Sequence, residues 1–123
     1  KNFWQMPQGG VDKGEDFYAA AIRELEEETS IKTVKLIKEI DEYISYLLPN
    51  NLVGIIWKGK YKGQKQKWFV VRFNGEEKEI NINTKHPEFL DWKWVNIDDL
   101  TSEVVKFKFK VYKKIQKELY KII

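Results

Sequence analysis

The sequence predicts an α+β fold in which a mixed sheet lies between helices. Three observations predict it. A helix-forming stretch follows a loop rich in glycine near the start, β-forming segments fill the middle, and helical periodicity returns in the tail. With 123 residues, 42% of them hydrophobic and 33% charged, the chain has the size and balance of one globular domain, taken as residues 1–123.

The segment from Trp4 to Gly14 holds Pro7, Gly9, Gly10 and Gly14 and reads as a loop with tight turns. A helix is expected from about Asp16 to Thr29. Asp16 serves as N-cap, three alanines favour helix, and Phe17, Ala21, Ile22 and Leu25 form an apolar stripe. Strands are expected over Val34–Leu48, Leu52–Tyr61, Lys67–Phe73, Glu79–Ile82 and Trp92–Val95, the first of them ended by Pro49 and the Asn50-Asn51 pair. From about Thr101 to Ile123 a second helix is expected, with Val104, Val105, Val111, Ile115 and Leu119 on its apolar side. Trp57, Trp68, Trp92 and Trp94 are assigned to packing, and His86, beside Pro87, to a turn.

Composition removes several classes of function. The chain has no Cys, so disulfides and thiolate metal sites are excluded, which agrees with a cytoplasmic location. No apolar run approaches the ~20 residues that span a bilayer, and no membrane partner is expected. The chain starts at Lys1 without Met and directly before a motif, so its N-terminus is read as incomplete. Acidic residues crowd into Glu24, Glu26, Glu27 and Glu28, whereas Lys58 to Arg72 holds six basic residues and no acidic one. Either these are two solvated faces of opposite sign, or they serve a bound cation and a polyanionic substrate.

Glu24, Glu27 and Glu28 stand at i, i+3 and i+4, so a helix sends all three carboxylates to one side. Like charges at this spacing destabilise an isolated helix by a few tenths of a kcal/mol per pair, roughly. A divalent cation reverses that cost, and carboxylate oxygens are hard ligands suited to Mg²⁺ or Mn²⁺. The alternative is an ordinary acidic face.

The wider pattern bears on that choice. From Gly9, five residues lead to Glu15 and seven more to Arg23, followed by Glu24, Leu25, Glu26, Glu27, Glu28, Thr29, Ser30 and Ile31. This stretch, residues 9–31, resembles the Nudix box, matching every fixed position except the last glycine, where Ser30 stands. The resemblance implies an α/β/α sandwich whose first strands precede Lys1. It also implies a structural role for Gly9 and for a Glu15–Arg23 pair. Glu24, Glu27 and Glu28 become metal ligands and the catalytic carboxylates, with Glu24 a candidate base, and a backbone carbonyl near Gln8 completes the cluster. The implied ion is Mg²⁺, with Mn²⁺ as the substitute. The family's terminal glycine favours a left-handed residue past the helix, a conformation serine tolerates less well, so a loop of different shape is expected at Ser30.

Four further segments are similar to the bacterial RNA pyrophosphohydrolases, relatives of the dinucleoside polyphosphate hydrolases: Trp4–Gly10, Gly63–Phe69, Pro87–Phe89 with Trp92, and Val105–Lys108. By that resemblance Glu88 joins the metal cluster from outside the box. Gln64, Lys65 and Lys67 lie near the phosphate chain, and Val105, Phe107 and Lys108 hold the terminal base. Each has a plainer reading: Glu88 as a loop glutamate, the lysines as exposed strand positions, Phe107 as the start of the last helix's apolar face. The implied activity is removal of pyrophosphate from 5′-triphosphate RNA ends, leaving the monophosphate from which decay of many bacterial transcripts starts. Hydrolysis of free dinucleoside polyphosphates and non-catalytic binding of nucleotide or RNA remain as alternatives. The sequence leaves the oligomeric state open.

Overall fold

The computed structural model describes residues 3–47 and 63–122. The strand expected over Leu52–Tyr61, with Trp57, lies outside the described residues. The chain forms two compact units, one of Met6–Glu39 and Phe69–Trp94, the other of Lys1–Gln5, Ile40–Trp68 and Val95–Ile123.

In the first unit the loop through Gly14 leads into helix α1, Phe17–Thr29. Asp16 caps it as expected, its Oδ2 accepting from the Ala19 N–H at 3.1 Å. The inward face differs from the expected stripe. Ala20, Glu28 and Thr29 are buried, and Phe17 is exposed. Glu28 and Thr29 are buried at the C-terminal end of the helix and Ala20 two turns earlier, so the buried surface takes in Glu28 rather than Phe17. A carboxylate has therefore been drawn into the unit along with alanine.

Ser30 ends α1 at φ 68°, the left-handed position that a glycine takes in the Nudix box. The loop keeps that shape because serine gains partners there. Its N–H donates to Glu26 O at 2.8 Å, and its hydroxyl donates to Asn81 O at 2.8 Å. Asn81 N–H in turn donates to Thr29 O at 2.8 Å. The loop beyond is tied by Glu79, whose carboxylate accepts from the Lys32 and Thr33 N–H groups and from the Thr33 hydroxyl, all within 2.8 Å.

Strand β1, Val34–Glu39, pairs antiparallel with a later strand, Phe69–Phe73, with a bulge between Leu36 and Lys38. Two expected strands are absent from this unit. Glu77–Glu79 is a 3₁₀ turn running into the segment 79–82, whose polar groups serve the end of α1 instead of a ladder. Trp92–Val95 forms no strand either. Trp94 stacks on Phe73 at 5.9 Å between centroids and meets Trp92 edge-on at 6.1 Å, so ring packing replaces backbone pairing.

In the second unit β2, Ile44–Leu47, pairs antiparallel with β3, Gly63–Gln66. The Phe69–Phe73 strand of the first unit is β4. The long strand expected over Val34–Leu48 is thus two strands separated by Ile40–Tyr43, and Lys67 and Trp68 lie between β3 and β4 rather than in a strand. Helix α2, Phe109–Tyr120, begins eight residues later than the expected Thr101, after short 3₁₀ turns at Ile97–Asp99 and Lys106–Lys108. Val111, Tyr112, Ile115 and Gln116 are buried, and Trp68 packs edge-on against Tyr112. Buried Gln116 is satisfied by donating to Ile97 O at 2.7 Å. No helix among the described residues is long and apolar enough to cross a membrane.

Candidate active site

Arg23 organises the carboxylates of α1. Its Nε and Nη2 grip Glu15 with two parallel bonds of 2.8 and 2.9 Å, and Nη2 also donates to Gly10 O at 2.9 Å. This is the pair expected from the sequence. The same guanidinium reaches further: Nη1 donates to Glu24 Oε1 at 2.8 Å and to Glu27 Oε2 at 3.2 Å. One permanent cation therefore joins the loop at Gly10 to three glutamates.

The fork of Arg23 holds the Glu15 carboxyl down at about 2, helped by the Asp12 N–H donating to its Oε1. A carboxyl lowered in this way stabilises the fold above its ordinary value of 4.5 and loses that contribution as pH falls through about 2. Glu15→Gln removes the acid-side dependence. Melting temperatures at pH 5 and pH 2.5 should therefore fall less in the variant than in the parent, and equal falls would contradict the role given to this pair.

Glu28 is the opposite case. It is 6% exposed, and burial pushes its carboxyl up to about 7. The negative charges of Glu24, Glu88 and Glu27 push the same way, partly offset by the Gln8 N–H, which donates to Glu28 Oε2 at 3.1 Å. A buried carboxylate within electrostatic reach of three others lacks positive charge, and a divalent ion with oxygen preference would supply it. The donor set thus fits magnesium or manganese. As the side chains stand, Arg23 engages Glu24 and Glu27, and no three acidic or imidazole groups among the described residues close on a common point. Gly9 borders the same place, since a Cβ added there would run into the Glu24 carboxyl. Gln8, Gly9, Glu15, Arg23, Glu24, Glu27, Glu28 and Glu88 all belong to the first unit.

The residues expected to touch substrate belong to the second unit. Gln64 and Lys65 sit on β3 opposite Tyr46 and Ser45. Lys65 Nζ lies 4.4 Å from the centre of the Tyr43 ring, and Lys67 Nζ lies 5.3 Å from the same ring while donating to Asp41 O at 2.8 Å. The Phe107 ring meets Tyr46 at 5.6 Å. Lys108 is 8% exposed, with Nζ 5.5 Å from the Tyr46 ring and 3.2 Å from Gln5 Oε1, and burial lowers its pKa. Val105 stands two residues before Phe107, as the last extended residue before the 3₁₀ turn. The sequence reading missed Tyr43 and Tyr46, the aromatic floor under three of its lysines. Tyr46 lies on β2 and Tyr43 just before it, and their place in the sequence does not say what the rings meet.

Residues 1–115 match the family model described as NUDIX domain. The chain is 64% identical to an RNA pyrophosphohydrolase of Pelagibacter ubique (strain HTCC1062) over 100% of its own length and 78% of that protein. It is 49% identical to an RNA pyrophosphohydrolase of Wolbachia pipientis subsp. Culex pipiens (strain wPip), over 99% of this chain and 76% of the relative. Among solved structures, the C. elegans Ap4A hydrolase binary complex superposes with TM-score 0.63 at 21% identity, covering 97% of this chain and 79% of that one, a likeness of fold. Box, fold and relatives agree, and the chain belongs to the NUDIX family.

Proposed function

We propose that this chain is a metal-dependent RNA pyrophosphohydrolase, releasing pyrophosphate from 5′-triphosphate RNA and leaving a 5′-monophosphate in the cytoplasm. The observation that carries the reading is the buried Glu28 carboxyl, faced by the charges of Glu24, Glu27 and Glu88 on a box that matches the family. Relatives named RNA pyrophosphohydrolase across nearly the whole chain support the substrate.

Glu24, Glu27, Glu28, Glu88 and the Gln8 carbonyl would hold Mg²⁺, or Mn²⁺ in its place. The ion supplies neutralisation of phosphate charge and activation of water. Around it, Arg23 restrains Glu24 and Glu27, and the Gln8 N–H fixes Glu28. Gln64, Lys65 and Lys67 would hold phosphates as donors and point charges, and Phe107 with Val105 and Lys108 would take the terminal base. Stacking on such a ring contributes about 1–3 kcal/mol per base and tolerates any sequence.

The fold's likeness to an Ap4A hydrolase favours a second substrate class, free dinucleoside polyphosphates. Release of pyrophosphate from 5′-triphosphate RNA, measured beside cleavage of a diadenosine polyphosphate with and without magnesium, separates the readings. The proposal expects magnesium-dependent turnover of RNA with the higher kcat/KM. Turnover of the dinucleotide alone would overturn the substrate, and binding without turnover of either would leave a non-catalytic domain.

A further inference from the structure

Between Lys106 and Lys121 the chain carries seven lysines and a single glutamate. They divide by position. Lys108 is buried at the base subsite, whereas Lys114 bonds Glu42 at 2.8 Å and Lys121 bonds Glu118 at 2.7 Å. Lys106, Lys110, Lys113 and Lys117 are the remainder. All four are exposed, and none has an acidic partner among the described residues. On α2, at about 100° per residue, Lys110, Lys113 and Lys117 fall within roughly 60° and form one stripe, and Lys106 stands in the 3₁₀ turn ahead of it. From Lys110 to Lys117 it is about 10 Å long at about 1.5 Å per residue.

We propose that this lysine stripe on α2 carries the phosphate backbone of the RNA downstream of its 5′ end. The inference rests on the RNA reading above and deepens it. An exposed lysine face is often merely solvated, but two features point to a strand of phosphates here. The stripe begins two residues after Lys108, so a chain leaving the base subsite along α2 meets it at the Lys110 end. It is also free of acids, which occur on this helix only where a lysine neutralises them. At about 3.4 Å per stacked nucleotide, the stripe matches several phosphates. An anionic membrane fits less well, because Val111, Tyr112 and Ile115 are buried and the exposed rings of α2, Phe109 and Tyr120, stand at its opposite ends rather than as one apolar face.

The test replaces Lys106, Lys110 and Lys117 together by Gln. Lys113 is retained because its Nζ lies 3.4 Å from the buried Gln116 side chain. For a 5′-triphosphate RNA of about a dozen nucleotides, KM should rise about tenfold with kcat unchanged, and diadenosine polyphosphate hydrolysis should keep both constants. Binding of the corresponding 5′-monophosphate RNA without magnesium, followed by fluorescence anisotropy, should lose about 2 from the slope of log Kd against log salt, as expected for three phosphate contacts on a single strand. The triple Arg variant should restore KM and slope. Unchanged RNA binding in the Gln variant would overturn the proposal, as would equal losses on both substrates. So would tighter binding of the parent to phosphatidylglycerol vesicles than to RNA, abolished by the same variant. If the parent does not turn over triphosphate RNA at all, the substrate reading fails, while the anisotropy series still decides whether the stripe holds RNA.

Discussion

Glu28→Gln is expected to lower kcat about 10³-fold, or roughly 4 kcal/mol of transition-state stabilisation, without unfolding the protein. The two halves of this expectation have one origin. Glu28 is buried and feels the charges of Glu24, Glu88 and Glu27, an arrangement that favours an uncharged group when no cation is present. Glutamine has nearly the same shape, keeps a carbonyl to accept from the Gln8 N–H, and removes the repulsion. The melting temperature of the metal-free variant should therefore equal or exceed that of its parent, while magnesium affinity by calorimetry should collapse. Glu26→Gln is the control. Glu26 lies on the same helix but is exposed and faces Lys32 at 3.7 Å, so its loss should leave kcat within about twofold, as for most surface substitutions. A Glu28→Gln enzyme with kcat within tenfold of its parent would remove the central carboxylate from the site.

The acidic helix was legible because its signals are local. A capping residue, a run of alanines and three glutamates at helical spacing all lie within fourteen residues, and the Glu15–Arg23 pair follows from the box. The bonds of Arg23 to Glu24 and Glu27 are not legible in the sequence, since a five-donor side chain can serve any of the acids within its reach. Errors appeared where distant residues decide. Segment 79–82 has β-forming isoleucines, but Glu79 binds a loop 46 and 47 residues away in sequence, and Asn81 closes the end of α1. The tail helix starts at Phe109 because Val104 and Val105 precede a 3₁₀ turn, although their hydrophobicity continues the helical pattern. The left-handed shape at Ser30 departs from the sequence expectation for the same reason: the carbonyl that accepts its hydroxyl's hydrogen bond is 51 positions on. The substrate residues were legible only as a resemblance, and their aromatic setting on Tyr43 and Tyr46 emerges from strand pairing.

Gly9→Ala should cost about 10²-fold in kcat and almost nothing in stability. The glycine does not use a left-handed backbone; Gly14 does, at φ 79°. Alanine can therefore take the Gly9 conformation, and the effect of the methyl group is steric. The atoms it would strike are the Cγ, Cδ and Oε2 of Glu24. These belong to the end of a flexible side chain, so the fold yields cheaply by swinging the carboxylate aside. That same movement breaks the Glu24 bond to Arg23 and displaces a proposed metal ligand, and an error of about 1 Å at a reacting centre is enough for a loss of this size. Gly14→Ala should show the reverse. Nothing lies within 4 Å of its added Cβ, but the left-handed backbone costs alanine about 1–2 kcal/mol, so melting temperature should drop while kcat holds. If both variants lost stability and activity in parallel, the glycine at position 9 would be serving the loop's conformation, and its clearance over Glu24 would have no bearing on catalysis.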